Sequence, residues 1–177
     1  VAEDWAPFNV NVTTRRSVYN DAGSESRCMV VCTPTKAWME DAKGGIATVD
    51  SFNNIFVSAT CWCWNVQDWV ACAETVSHEA AHCMGNSHAS WESSGGLFEE
   101  EYYDGHDTDY GVYWAPIMGN SFREISADSL TQFTIDASYP GSTVGEDQLD
   151  EIAYELDLLF DDQLGSPGFP VPLVNNR

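Results

Sequence analysis

Basic residues are scarce in this chain: seven Lys and Arg stand against 28 Asp and Glu among 177 residues, 7 − 28 = −21. A surface of that sign repels nucleic acid and anionic membranes and keeps a protein in solution, so polyanions are excluded as partners. No run approaches the roughly 18 apolar residues that a membrane-spanning helix needs. Neither an initiator Met nor a signal-peptide pattern opens the chain, which therefore reads as a processed or excised piece of a larger protein. The six cysteines form no C-x-x-C pair, the knuckle of a structural zinc site. Internal repeats and low-complexity tracts are absent too. Histidine is rare, with four in all, yet His78, His82 and His88 fall within eleven positions.

What is present describes a folded globule. Hydrophobic residues make up 44% and aromatic residues 12%, too much apolar surface for a disordered chain. The length suits one domain with a core, or two closely packed lobes. Most acids read as a solvated face, dense only in "FEEEYYDGHDTDY" and "GEDQLDEIAYELDLLFDD". The even cysteine count points to an oxidising, secreted setting with up to three disulfides, and six cysteines allow 15 pairings. Cys72 and Cys83 cannot pair with each other if 67–84 is one helix, because eleven residues separate them by about 16 Å.

Patterning supplies the elements. "VAEDWAPF" reads as a helix tail stopped by Pro7. Val10 and Val12 alternate with polar neighbours as in a strand, and "YNDAGSES" is a loop. "CMVVCTP", "IATVDSF" and "NIFVSATCWCW" are β-rich. In "VQDWVACAETVSHEAAHCMG", Trp69, Cys72, Ala73, Val76, Ala80 and Cys83 recur at three- and four-residue steps, predicting a largely buried helix capped at Gly85. About 35 irregular residues follow, a length usually kept for function. "DQLDEIAYELDLLF" then places Leu149, Ile152, Ala153, Leu156 and Leu159 or Phe160 on one helix face, and residues 161–177 read as a linker. Trp62, Trp64, Trp69 and Trp114 are expected in the core.

The chemistry lies in "VSHEAAHCMGNSHAS". Four residues apart on a helix, His78 and His82 point from one face. Glu79, about 100° round the helix, reaches a water on a metal without ligating the metal itself. Gly85 turns the backbone so that His88 returns as a third ligand. Three nitrogens leave a fourth position for water, the open geometry of a catalytic zinc. The full H-E-x-x-H-x-x-G-x-x-H pattern arises by chance on the order of once in 100,000 chains of this size. Cys83 leaves the helix in a different direction from His82, so it reads as a buried or bridged thiol and not as a ligand.

Thirty residues beyond His88, "YWAPIMGNSF" sets Met118 in a Pro- and Gly-flanked turn. Together the two motifs resemble the metzincin zinc endopeptidases, whose long histidine motif is followed by a Met-turn. "VAEDWAPFNVNVTT", "GGIATVDSFN", "YYDGH" and "EDQLDEIA" narrow the likeness to reprolysin-like modules of large secreted microbial proteins. The resemblance implies an α/β (α+β) two-lobed domain over residues 1–160. Its N-lobe would cover about 1–85 and its C-lobe about 86–160, with the family's first strand and helix start missing. It also implies Zn²⁺ on His78, His82 and His88, Met118 as an apolar floor beneath them, and peptide-bond hydrolysis by a zinc-activated water with Glu79 as general base. The chain departs from relatives at Ala81, often Gly; at Ala89, commonly an Asp that supports the third ligand; and at Asn120, where some metzincins carry an oxyanion-steadying Tyr.

Smaller expectations complete the reading. His106 is a loop residue with solvent or hydrogen-bond duties, and Asp104, Asp107 and Asp109 around it resemble a Ca²⁺ loop only loosely. The expected partner is a peptide or protein substrate, with no nucleic acid and no membrane insertion, at an extracellular or cell-surface location. Other domains of a larger chain are expected beside it. A rival reading is a non-catalytic structural or adhesive module that keeps the peptidase fold. The intact Glu79 argues against it, since a scaffold needs no base.

Overall fold

The computed structural model describes residues 1–39, 44–64, 66–93, 98–121, 129–135, 139, 141–142 and 147–157. Among them, three small sheets and three α-helices make a mixed α/β arrangement. A short helix α1 (Arg16–Asp21) precedes β1 (Met29–Cys32). β1 runs parallel to β3 (Thr60–Cys63), with Met29 opposite Thr60 and Cys32 opposite Cys63. β2 (Gly45–Ile46) pairs antiparallel to the other side of β3. The long helix α2 (Trp69–Cys83) packs across all three strands.

Local chemistry sets the limits of α2. Asp68 caps it, its carboxylate accepting from the Val70 and Ala71 amides at 2.9 and 3.3 Å, which satisfies two of the donors every helix start leaves open. The helix closes where Gly85 adopts φ +104°, with its N–H donating to the His82 carbonyl at 3.0 Å. A β-carbon disfavours that conformation.

The next stretch holds short strands between loops. β4 (Trp91–Glu92) pairs with β5 (Phe98–Glu100), and β6 (His106–Asp107) pairs antiparallel with β7 (Tyr113–Pro116). β8 (Leu130–Gln132) lies parallel on the far side of β7. α3 (Gln148–Leu156) is capped by Asp147 and buries Ile152 and Leu156. The main core gathers Trp5, Phe8 and Phe133, whose ring centroids lie 5.3–6.2 Å apart, with Ala81, Ile117, Met118 and Ile152.

Several sequence expectations are corrected. Residues 9–15 form no strand: Val10 and Val12 are exposed and pair with nothing described there, because alternation alone does not supply a neighbouring strand. Residues 2–7 are turns, not a helix, although Trp5 and Phe8 still reach the core. α1 runs into the segment read as loop. β2 and β3 are far shorter than the β-rich runs that contain them, and Ile55 and Phe56 are exposed. Trp69 is 82% exposed, because it stands in the first turn of α2, where nothing covers it among the described residues. Trp64 and Trp114 are buried and Trp62 partly so. Leu159, Phe160 and the 161–177 linker lie outside the described residues, as do both ends of the second acidic patch. No described helix is long and apolar enough to cross a membrane.

One buried acid makes a stability test. Glu74 on α2 is buried, with Oε1 accepting from the Thr131 hydroxyl at 2.8 Å. Burial raises its carboxyl above the ordinary value; the Asp4 charge adds to this, and the Thr131 and Ser121 hydroxyls and the N-terminal amine oppose it. The folded state therefore holds this proton to higher pH than the unfolded chain does. The stability so contributed is present at low pH and is lost as pH rises through the folded value. Glu74→Gln is expected to be more stable than wild type at pH 7.5, on the order of 1 kcal/mol or about 2–4 °C in Tm. The difference should vanish below the ordinary carboxylate value of about 4. Melting curves at both pH values check it.

Candidate metal centre

Helical spacing brings His78 and His82 to one face of α2, and the turn at Gly85 returns His88 to them. The three ring centroids lie 4.7–5.3 Å apart. One nitrogen from each ring falls within 4.8 Å of the other two. The His82 and His88 Nε2 atoms are 3.0 Å apart.

The opposite ring nitrogens decide the tautomers. His78 Nδ1 faces the Ile117 carbonyl at 2.8 Å, His82 Nδ1 faces the Asn86 carbonyl at 2.7 Å, and His88 Nδ1 faces Glu101 Oε1 at 2.9 Å. An oxygen acceptor at every Nδ1 places the hydrogen there and leaves the lone pair on Nε2. Burial, helped by neighbouring His82, pushes His78 down to about 3. Burial also lowers His82 and His88, against the pull of the Asn86 carbonyl and of Glu101 respectively. All three rings are thus neutral at pH 7, the form that ligates metals.

Neutral rings with this tautomer set lone pair against lone pair at 3.0 Å between His82 and His88. A cation shared between them removes the repulsion. Nitrogens bound at about 2.0–2.1 Å round a tetrahedral zinc stand about 3.3 Å apart, close to the spacing found. The donor set therefore fits a zinc-like ion, and carbonyl or carboxylate partners behind ligating imidazoles are what such sites use to hold them.

Glu79 stands outside the three-nitrogen group. Burial, with nearby Cys83 adding to it, pushes its carboxyl up to about 8. Its stem lies against β2, where a β-carbon on Gly45 would stand 2.6 Å from Glu79 Cγ and Oε1. Only glycine leaves room for the carboxylate at that place. Met118 is fully buried in the main core beside Ala81 and Met84. Its turn does a second job through the backbone, because the residue before it supplies the carbonyl that holds His78. Tyr102 lies over the ligands, 4.2 Å from the His88 ring centroid and 6.5 Å from that of His78.

Ala89 offers no carboxylate to the third ligand, and Glu101 supplies one from thirteen residues along. Asn86 is likewise more than a link. Its carbonyl holds His82, while its amide donates to Glu151 Oε2 on α3 at 2.6 Å. Sequence reasoning missed Gly45, Asn86, Glu101, Tyr102 and the Ile117 carbonyl. The Gly44-Gly45 pair and the Asn after the capping glycine were the available signals. His106 is hydrogen-bonded to the Tyr103 hydroxyl at 3.0 Å and lies against Trp114. Asp104, Asp107 and Asp109 are not among the groups of donors that converge in the described residues; Asp104 Oδ1 accepts from Asn120 instead.

Removing the outer partner of His88 gives a graded test. Glu101→Ala is expected to weaken zinc binding toward the lower end of the 10–100-fold range typical for such partners, because the Glu101 side chain is 63% exposed and water replaces part of its role. Competition with a chromophoric chelator measures it.

No family model matches the chain, and no curated protein matches it either.

Proposed function

We propose that the chain is a zinc-dependent endopeptidase with the two-lobed fold of the metzincins, working outside the cell on peptide or protein substrates. The observation that carries this reading is the convergence of three Nε2 lone pairs, each imposed by its own oxygen acceptor, with an acid on the same helix turn that does not join them. When bound, zinc supplies the Lewis acidity that acidifies water and polarises a carbonyl. Glu79 takes the proton from the attacking water and returns it to the departing amine. Gly45 leaves Glu79 the space to do so, and a dication held by the neighbouring rings opposes the burial that otherwise keeps its carboxyl protonated. The Ile117 and Asn86 carbonyls and Glu101 hold the ligand rings in register. Met118 packs the floor beneath them.

A structural scaffold accounts for a held ion. It does not account for a buried acid beside the ligands, which is costly without a chemical use. The test is hydrolysis of a fluorescent casein by the zinc-loaded protein. Activity should disappear on chelation, return with zinc and be lost in Glu79→Ala. Zinc bound at the imidazoles with no hydrolysis of casein favours the scaffold.

A further inference from the structure

The cysteines are gathered in two groups of three, Cys28, Cys61 and Cys83 on one side and Cys32, Cys63 and Cys72 on the other, with the sulfurs of each group within 4.8 Å of one another. The two groups differ in access. In the first, Cys61 and Cys83 are fully buried. In the second, Cys63 is buried, Cys72 partly so, and Cys32 exposed. The fold builds this second group from three elements. The parallel register sets Cys32 directly across from Cys63, and α2 brings Cys72, in its first turn, onto the same ends of the strands. Cys63 and Cys72 Sγ are 3.7 Å apart.

We propose that Cys32, Cys63 and Cys72 form a second metal site, a thiolate triad that takes one soft divalent ion of the zinc class, its fourth ligand coming from the solvent side at Cys32. Sulfurs bound at about 2.3 Å round a tetrahedral zinc lie about 3.8 Å apart; here Cys63 and Cys72 are 3.7 Å apart and every pair lies within 4.8 Å. A disulfide uses two sulfurs and leaves the third over, whereas an ion uses all three. Binding releases the thiol protons to solvent and moves no electrons, so no oxidant or reductant is required. The site is separate from the imidazole centre, since Cys72 lies six residues before His78 and ten before His82 on α2, about 9 and 15 Å along its axis. Its effect is to pin the ends of β1 and β3 to the start of the helix that carries the histidines.

The experiment titrates the full, reduced chain anaerobically with Co²⁺, in wild type and in His82→Ala, which disables the imidazole centre. A sulfur-to-cobalt charge-transfer band should rise in both, saturating at a single equivalent in His82→Ala and within two equivalents in wild type, where the imidazoles also take the ion. It should be lost in Cys72→Ser and in Cys32→Ser, the latter an exposed position where folding is not at stake, and kept in Cys28→Ser. Absence of the band in wild type overturns the proposal. So does its survival in both Cys32→Ser and Cys72→Ser, or a Cys63–Cys72 bridge found by peptide mapping in protein oxidised under saturating Zn²⁺. Because the band is read in His82→Ala as well, its failure says nothing against the peptidase reading, and failure of that reading leaves the band unchanged.

Discussion

Glu79→Gln is expected to lower the turnover of casein by about 10²–10⁴-fold, the usual worth of a positioned acid–base group, while zinc content stays at wild-type level. The amide keeps the size and shape of the carboxylate, so the fit over Gly45 survives and only the proton acceptor is removed. KM should stay within a few-fold, because Glu79 acts on the water and not on the resting substrate. Wild-type turnover in the amide variant, at full zinc loading, ends the mechanism proposed above. A parallel loss of zinc would show instead that Glu79 belongs to the ligand set, contrary to its place outside the three-nitrogen group.

His82→Ala should do the reverse, removing the ion and with it the activity. The substitution deletes the ligand whose Nε2 lies 3.0 Å from that of His88 and strands the Asn86 carbonyl that faced Nδ1. Two nitrogens remain, and the ion held by the imidazoles should wash out on gel filtration, lowering zinc content by one equivalent relative to wild type. The effect should exceed that of Glu101→Ala, which disturbs a partner of a ligand and leaves the donor in place. Thermal melting provides a readout independent of catalysis. Zinc at a thousand times its dissociation constant stabilises a native state by about 4 kcal/mol, or about 8–16 °C for a chain this long. Wild type should show a clearly larger rise than His82→Ala, in which only the cysteine triad is left to take the ion.

Much of the candidate site could be read from the chain before folding because its signals are local. His78, His82, Gly85 and His88 lie within eleven residues, and helical geometry plus one left-handed glycine bring them together. The capped start of α2 and the apolar face of α3 are local in the same way. The rest depends on distant segments. Nothing near residue 88 announces that Glu101 will take the place an acid at position 89 would fill. Gly45 becomes necessary only when β2 is laid beside the Trp62 carbonyl and Glu79. The two cysteine groups arise from the parallel register of β1 and β3, which no spacing of six cysteines reveals. Where the reading went wrong, a pattern was present without its neighbour. Among the described residues, Val10 and Val12 alternate but have no strand to pair with, and Trp69 keeps helical periodicity in a turn that nothing covers.

Asn86 has a consequence for how the protein comes apart. One end of this residue steadies an imidazole and the other grips the closing helix through Glu151. Fraying of that helix and slackening of the histidine are therefore one cooperative event. Whatever loosens α3 reaches the support of His82 through Asn86.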